Sequence, residues 1–242
     1  MEEMPPKSSA SIWFGRIGSP FSEFGIAIGI LYMLDRLLRR VSKRSGLFVY
    51  ELMAQPISDK PLLPDRFARN VRSALLGAGN TELRRMPVRP EILENRFSQR
   101  AQCLGVFRSG EMIGYIWFCF GSYQEDEVRC TYRLKNPDES VFDFDLYIFP
   151  EHRMGVGFAA VWHAANAYLH GLGVRHSYSR MTRFNLASRR AHLRLGSRCV
   201  ARAIFLRLGS VEWMCASTAP YFWCTWSLRS RPSLNLGDRT VN

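Results

Sequence analysis

The sequence predicts an α+β fold: a mixed, mostly antiparallel twisted sheet flanked by helices, with an amphipathic helix ahead of it. Three observations carry this. Short apolar and β-branched runs between 47 and 149 are separated by Gly, Pro and Asn turn signals. A strand-helix-strand-helix order then follows from 141 to 196. A separate apolar segment with basic residues after it precedes them all.

Taken in order, residues 1–20 hold adjacent prolines and serines with little periodicity, and predict a loosely packed arm. Residues 21–44 predict a helix: an eleven-residue uncharged run from Phe24 to Leu34, then Arg36, Arg39, Arg40, Lys43 and Arg44. That run is short of the ~20 residues needed to span a bilayer. Its charges follow the apolar stretch, the reverse of a cleavable signal. Two readings stay open: a helix packed on the domain or a partner subunit, or a peripheral membrane contact through residues 21–44.

From Gly46 a mixed domain begins, with a strand at 47–53 ended by Pro56. A helical stretch is expected near 67–76, and helix or loop-helix over 81–100, opened by Pro87 and Pro90. Strands are expected at 102–108 and 112–120, joined through Ser109-Gly110, then at 127–134 and, after Asn136-Pro137-Asp138, at 141–149. Phe158, Val161, Trp162, Ala165 and Leu169 fall at helical spacing before Gly171 and Gly173. A strand at 174–184, a helix at 185–196 and a hairpin of 199–206 with 211–217 complete the pattern. The division is thus 1–45 arm and helix, 46–217 domain, and 218–242 a tail with aromatic residues but no clear pattern.

A hydrophobic fraction of 47% argues against global disorder, and 242 residues suffice for a full core. The net charge of +12 favours anionic partners, although dispersed arginines also simply keep a surface soluble. No nucleic-acid motif accompanies the charge, so no specific nucleic-acid partner is expected. The six cysteines show no C-x-x-C pair, which predicts no metal site; buried free thiols fit a cytoplasmic protein.

The most informative stretch is 146–158, Leu-Tyr-Ile-Phe-Pro-Glu-His-Arg-Met-Gly-Val-Gly-Phe. A strand, a basic glycine turn and a helix N-terminus converge there, an arrangement that receives phosphate on backbone N–H groups. It resembles the acetyl-CoA pyrophosphate loop of the GNAT N-acetyltransferase superfamily. Gly155 and Gly157 match the family's glycines; His152 or Arg153 takes its Arg/Gln place, in a turn one residue shorter than the common form. Asn185, Ser188, Arg194 and Gly196 match the family's second motif, where Ala191, His192 and Ser197 replace its Leu, Tyr and Phe.

The resemblance implies acetyl-CoA as acyl donor and transfer of its acetyl group to the amine of a small molecule, an amino sugar among the candidates. It implies donor contacts from Ile148, Phe149, His152, Arg153, Met154, Gly155, Val156, Gly157, Phe158, Asn185 and Ser188, with the carbonyl polarised by backbone near Ile148 and Phe149. His192 stands where the family's thiolate-protonating Tyr would be, as an acid or as an ordinary helix residue; Asn185 serves as pantetheine contact or helix cap. Asp143 and Asp145 alternate onto one strand face and are the candidate bases, two carboxylates able to raise one pKa. An ordinary polar strand face is the competing reading, and Glu127 and Tyr178 are the fallbacks. A non-catalytic acyl-CoA-binding or membrane-associated scaffold is the alternative function.

Overall fold

The computed structural model describes residues 25–237, so the expected arm and the last tail residues lie outside the described chain. The fold is α+β with mostly antiparallel strands, and it divides into two compact units.

The first unit comprises residues 57–120 and 137–177. Its strands are β2 (Val71–Leu76), β3 (Gln102–Arg108), β4 (Glu111–Cys119) and β7 (Ser140–Ile148), paired antiparallel in the order β2-β3-β4-β7. Helix α4 (Gly157–Gly171) lies against all four strands. Val161, Trp162, Ala165 and Leu169 recur at the period of one helix face and are fully buried, as are Val106, Ile116, Trp117 and Phe118 on the sheet. A short α2 (Asp65–Ala68) and α3 (Pro90–Ser98), with proline at its first position, complete the unit.

One irregularity matters for the site. Tyr115 faces Tyr147 and Trp117 faces Phe144, so Ile116 alone opposes both Asp145 and Leu146. That extra residue is a β-bulge, and Asp145 takes it up at φ 47°, where Asp is tolerated better than most residues.

The second unit comprises 25–56, 121–136 and 178–237. Strands β1 (Gly46–Pro56), β9 (Arg198–Leu208), β10 (Val211–Ala216) and β11 (Phe222–Thr225) follow the order β11-β10-β9-β1, with β8 (His176–Thr182) on the far side of β1. The β1–β9, β9–β10 and β10–β11 pairings are antiparallel. A small second sheet has the order β12-β6-β5, from Ser233–Leu236, Thr131–Leu134 and Ser122–Gln124, with β12 parallel to β6. Helix α1 (Ile26–Val41) packs on β1, and α5 (Leu186–Arg194) follows β8.

Three expectations are corrected. The helix expected over 67–76 is α2 followed by strand β2, whose residues pair one for one with β3. The strand expected at 127–134 begins only at Thr131, because Glu125 N–H bonds the Cys130 carbonyl and closes a loop. Not all thiols are buried: Cys215 and Cys224 are exposed on β10 and β11. Among the described residues no helix is long and apolar enough to cross a membrane.

Candidate functional site

Strand β7 leads directly into the glycine turn. Pro150–His152 form a 3-10 turn, Gly155 sits at φ 111°, and α4 starts at Gly157. Gly157 is required by space rather than by dihedral. A Cβ there would lie 2.3 Å from the His152 carbonyl oxygen and 3.0 Å from Ile148 Cγ2. Gly155 has open space around it and is required by its positive φ.

The helix N-terminus that results is electrostatically bare. No side chain caps it, and its first turn holds no acidic residue. Ala160 N–H is the first to close on a helix carbonyl, that of Val156, at 2.8 Å. The N–H groups of Gly157, Phe158 and Ala159 thus precede the helix ladder, at the positive end of the dipole. Arg153 stays close, its Nε donating to the Ile148 carbonyl at 2.9 Å and its guanidinium stacked on Tyr147 at 5.1 Å. Met154 is 87% exposed. Half-buried His152 lies 3.6 Å from Glu111. Glu111, Glu151 and His152 form a group with ligand atoms within 4.8 Å of one another; Glu111 also pairs with Arg85 at 3.8 Å, which fits surface ion pairing.

Phe149 N–H is occupied, donating to the Ile113 carbonyl at 3.1 Å. This leaves the bulge at Asp145-Leu146, rather than Phe149, as the place where β7 departs from regular pairing.

The two aspartates do not share a site. Asp143 is buried and accepts a 2.5 Å hydrogen bond from Ser177 Oγ. Asp145 is held by Arg96 Nη1 at 2.5 Å, and that guanidinium stacks on Trp117 and Phe144. Burial pushes the Asp143 carboxyl up to about 7, against the Ser177 hydrogen bond, which lowers it. The expected mechanism, one carboxylate raising its neighbour, is therefore corrected to desolvation. The bulge is the reason: it breaks the alternation that would have put both carboxylates side by side.

Asn185, Ser188 and His192 lie in the second unit. Asn185 Oδ1 accepts from Ser188 N–H at 3.0 Å, capping α5. His192 is 5% exposed, with Nδ1 3.0 Å from Gln55 Oε1, and burial depresses its pKa to about 4. At that value the imidazole is neutral at pH 7, which favours the reading of His192 as an ordinary buried helix residue over that of an acid. Close by in sequence, Arg183 and Arg189 bind buried Glu51 at 2.5 and 2.6 Å. Burial raises the Glu51 carboxyl, but the two arginines outweigh it and hold it below its usual range.

Of the fallback bases, Tyr178 is buried in β8. Glu127 accepts from Tyr50 at 2.9 Å and pairs with Arg180 at 2.7 Å. Burial pushes Glu127 up, yet Arg180 and Tyr50 together hold it below the ordinary carboxylate range. Sequence reasoning missed Arg96, Ser177 and Gln55. Each meets its partner across at least 34 residues, and no local pattern announces such pairs.

Neither a protein-family model nor a curated protein matches this chain. Among solved structures, the chain shows similarity to several GCN5-related N-acetyltransferases. A protein from Novosphingobium aromaticivorans assigned to the GNAT acetyltransferases is 14% identical, with 66% of this chain and 64% of that one covered at a TM-score of 0.42. A GCN5-related N-acetyltransferase from Kribbella flavida is 15% identical over 76% of this chain and 63% of its own, at 0.39. A conserved protein of unknown function from Staphylococcus epidermidis is 12% identical over 69% and 63%, at 0.44. The chain thus spans less than two thirds of the length of these structures.

Proposed function

We propose that this chain is an acetyl-CoA-dependent N-acetyltransferase acting on a small-molecule amine. The observation that supports it is the uncapped start of α4, reached through a turn in which Gly157 leaves no room for a Cβ. A pyrophosphate fits such a cradle: backbone N–H groups converge on it, the dipole favours it, and the first turn of α4 carries no acidic residue. His152, Arg153, Gly155 and Gly157 would hold it, with Met154, Val156 and Phe158 forming its walls.

In the reaction the amine nitrogen bonds to the thioester carbonyl carbon, the C–S bond breaks, the amine loses a proton and the thiolate gains one. Asp143 is the better-tuned acceptor, because burial holds its carboxyl at about 7, while Asp145 is engaged by Arg96. Asn185 caps α5, and His192 with Gln55 positions it. The net charge of +12 favours acceptors that carry phosphate, nucleotide-linked amino sugars among them.

A second reading has its own support. Phe149 N–H, Asp145 and neutral His192 are each committed to other partners, as suits a non-catalytic acyl-CoA-binding protein. Calorimetric titration with acetyl-CoA, with Gly155→Asp alongside, tests the shared step: the parent binds and the variant, folded by circular dichroism, does not. Thiol release with a panel of amines then separates the readings. Failure of the folded parent to bind would remove both.

A further inference from the structure

We propose that α1 is a membrane-surface helix that docks this protein on an anionic lipid bilayer. Ile26, Ile30, Met33, Leu34, Leu37 and Val41 are 74, 55, 50, 40, 58 and 80% exposed. At ~100° per residue they fall within an arc of about 100°, a continuous apolar stripe along a helix about 24 Å long. The opposite face is the one that holds α1 to its own unit. Its only acidic residue, Asp35, is buried there, accepting from Arg39 Nε at 2.7 Å and from Leu47 N–H at 2.9 Å, and Tyr32 meets Phe184 at 5.4 Å. Anchoring and docking thus use different faces, and the outer stripe is surplus to folding.

Charge selects the occupant. Arg36 and Arg40 border one side of the stripe, and Lys43 and Arg44 follow its end; all four are exposed. A second copy laid on the stripe would set these cations against their equals on a chain of net charge +12. A bilayer with anionic headgroups supplies both complements at once: acyl chains for the stripe and phosphates for its border. It also conforms to a convex helix, whereas a folded partner would need a matching groove. At 16 residues the helix lies in the interface plane rather than crossing it.

The test is flotation of the full chain with mixed phosphatidylglycerol–phosphatidylcholine vesicles and with pure phosphatidylcholine vesicles. The parent is expected to float with the former, and each basic residue near the surface contributes about fivefold to partitioning. Ile30→Glu with Leu37→Glu, on the exposed face and without effect on thermal unfolding, should weaken partitioning at least tenfold. Arg36→Gln with Arg40→Gln should weaken it and flatten its salt dependence. The proposal is overturned by no flotation of a folded parent or by equal flotation of parent and variants. It is equally overturned by a concentration-dependent dimer that the glutamates break, with no lipid binding.

Discussion

Replacing Asp143 by Asn isolates the largest electrostatic cost built into the candidate site. Asp143 is 3% exposed, and the hydrogen bond from Ser177 Oγ opposes the cost of burying it. Burial moves its carboxyl from 3.8 in the unfolded chain to about 7 in the folded one. Between those values the unfolded chain has released the proton and the folded one still holds it, so unfolding stability falls as pH rises from about 4 to about 7. At 1.36 kcal/mol per pH interval the full loss is roughly 4 kcal/mol above pH 7. Asn accepts the same Ser177 hydrogen bond and titrates nowhere in this range. The variant should therefore be more stable than the parent near pH 8 and close to it near pH 4. Urea unfolding of both proteins at several pH values measures the gap, and matched m-values confirm that the folded states are comparable. Parallel stability–pH curves would refute the reasoning, since they would mean that Asp143 ionises in the folded state as easily as in water. If Asp143 also accepts the amine proton, acetyl transfer in the variant should fall at all pH values despite its greater stability.

Three further outcomes follow from the same geometry. His192, depressed to about 4 by burial, costs stability as pH falls from 6.5 towards 4, opposite in sign to Asp143; imidazole proton shifts in NMR should show a midpoint near 4, and His192→Gln should flatten that limb. Gly157→Ala should destabilise by about 1–3 kcal/mol, because its Cβ meets the His152 carbonyl, and should weaken acetyl-CoA binding in calorimetry. Arg96→Ala leaves Asp145 nearly buried without its cation, the pair being 7% and 11% exposed, and should cost about 3–5 kcal/mol in denaturant titrations.

Much of the fold was legible because the strongest signals are local. The helix at Gly157–Gly171 follows from residues spaced at its own period, and the glycine turn from Gly155 and Gly157, five and seven residues after Pro150 ends the strand. Strand β2 was not legible: only Leu76 of its six residues is buried, so no alternation marks it, and its form comes from pairing with β3. Strands β11 and β12, four residues each, are set by β10 and β6 rather than by their own composition. For the site, residue types along β7 identified where chemistry could occur but not which groups are available for it. The bulge shifts Asp145 out of step with Asp143, and Arg96, 49 residues away, then claims it. Alternation rules assume regular pairing and carry no information about such claims.

The place of β1 also has a consequence for the chain as it is being made. Nine consecutive residues, Leu47 to Gln55, include seven apolar ones, and the strand's neighbours are β8 and β9. Those partners begin at His176 and Arg198, so they leave the ribosome only after more than a hundred further residues have been translated. Through that interval β2, β3, β4 and β7 can close on near neighbours, while β1 has no native strand to pair with. An apolar strand with two open edges is what holdase chaperones bind and what aggregates nucleate on. The yield of folded protein should therefore be governed by how long β1 is kept from other β1 segments, more than by the final stability of the sheet it completes.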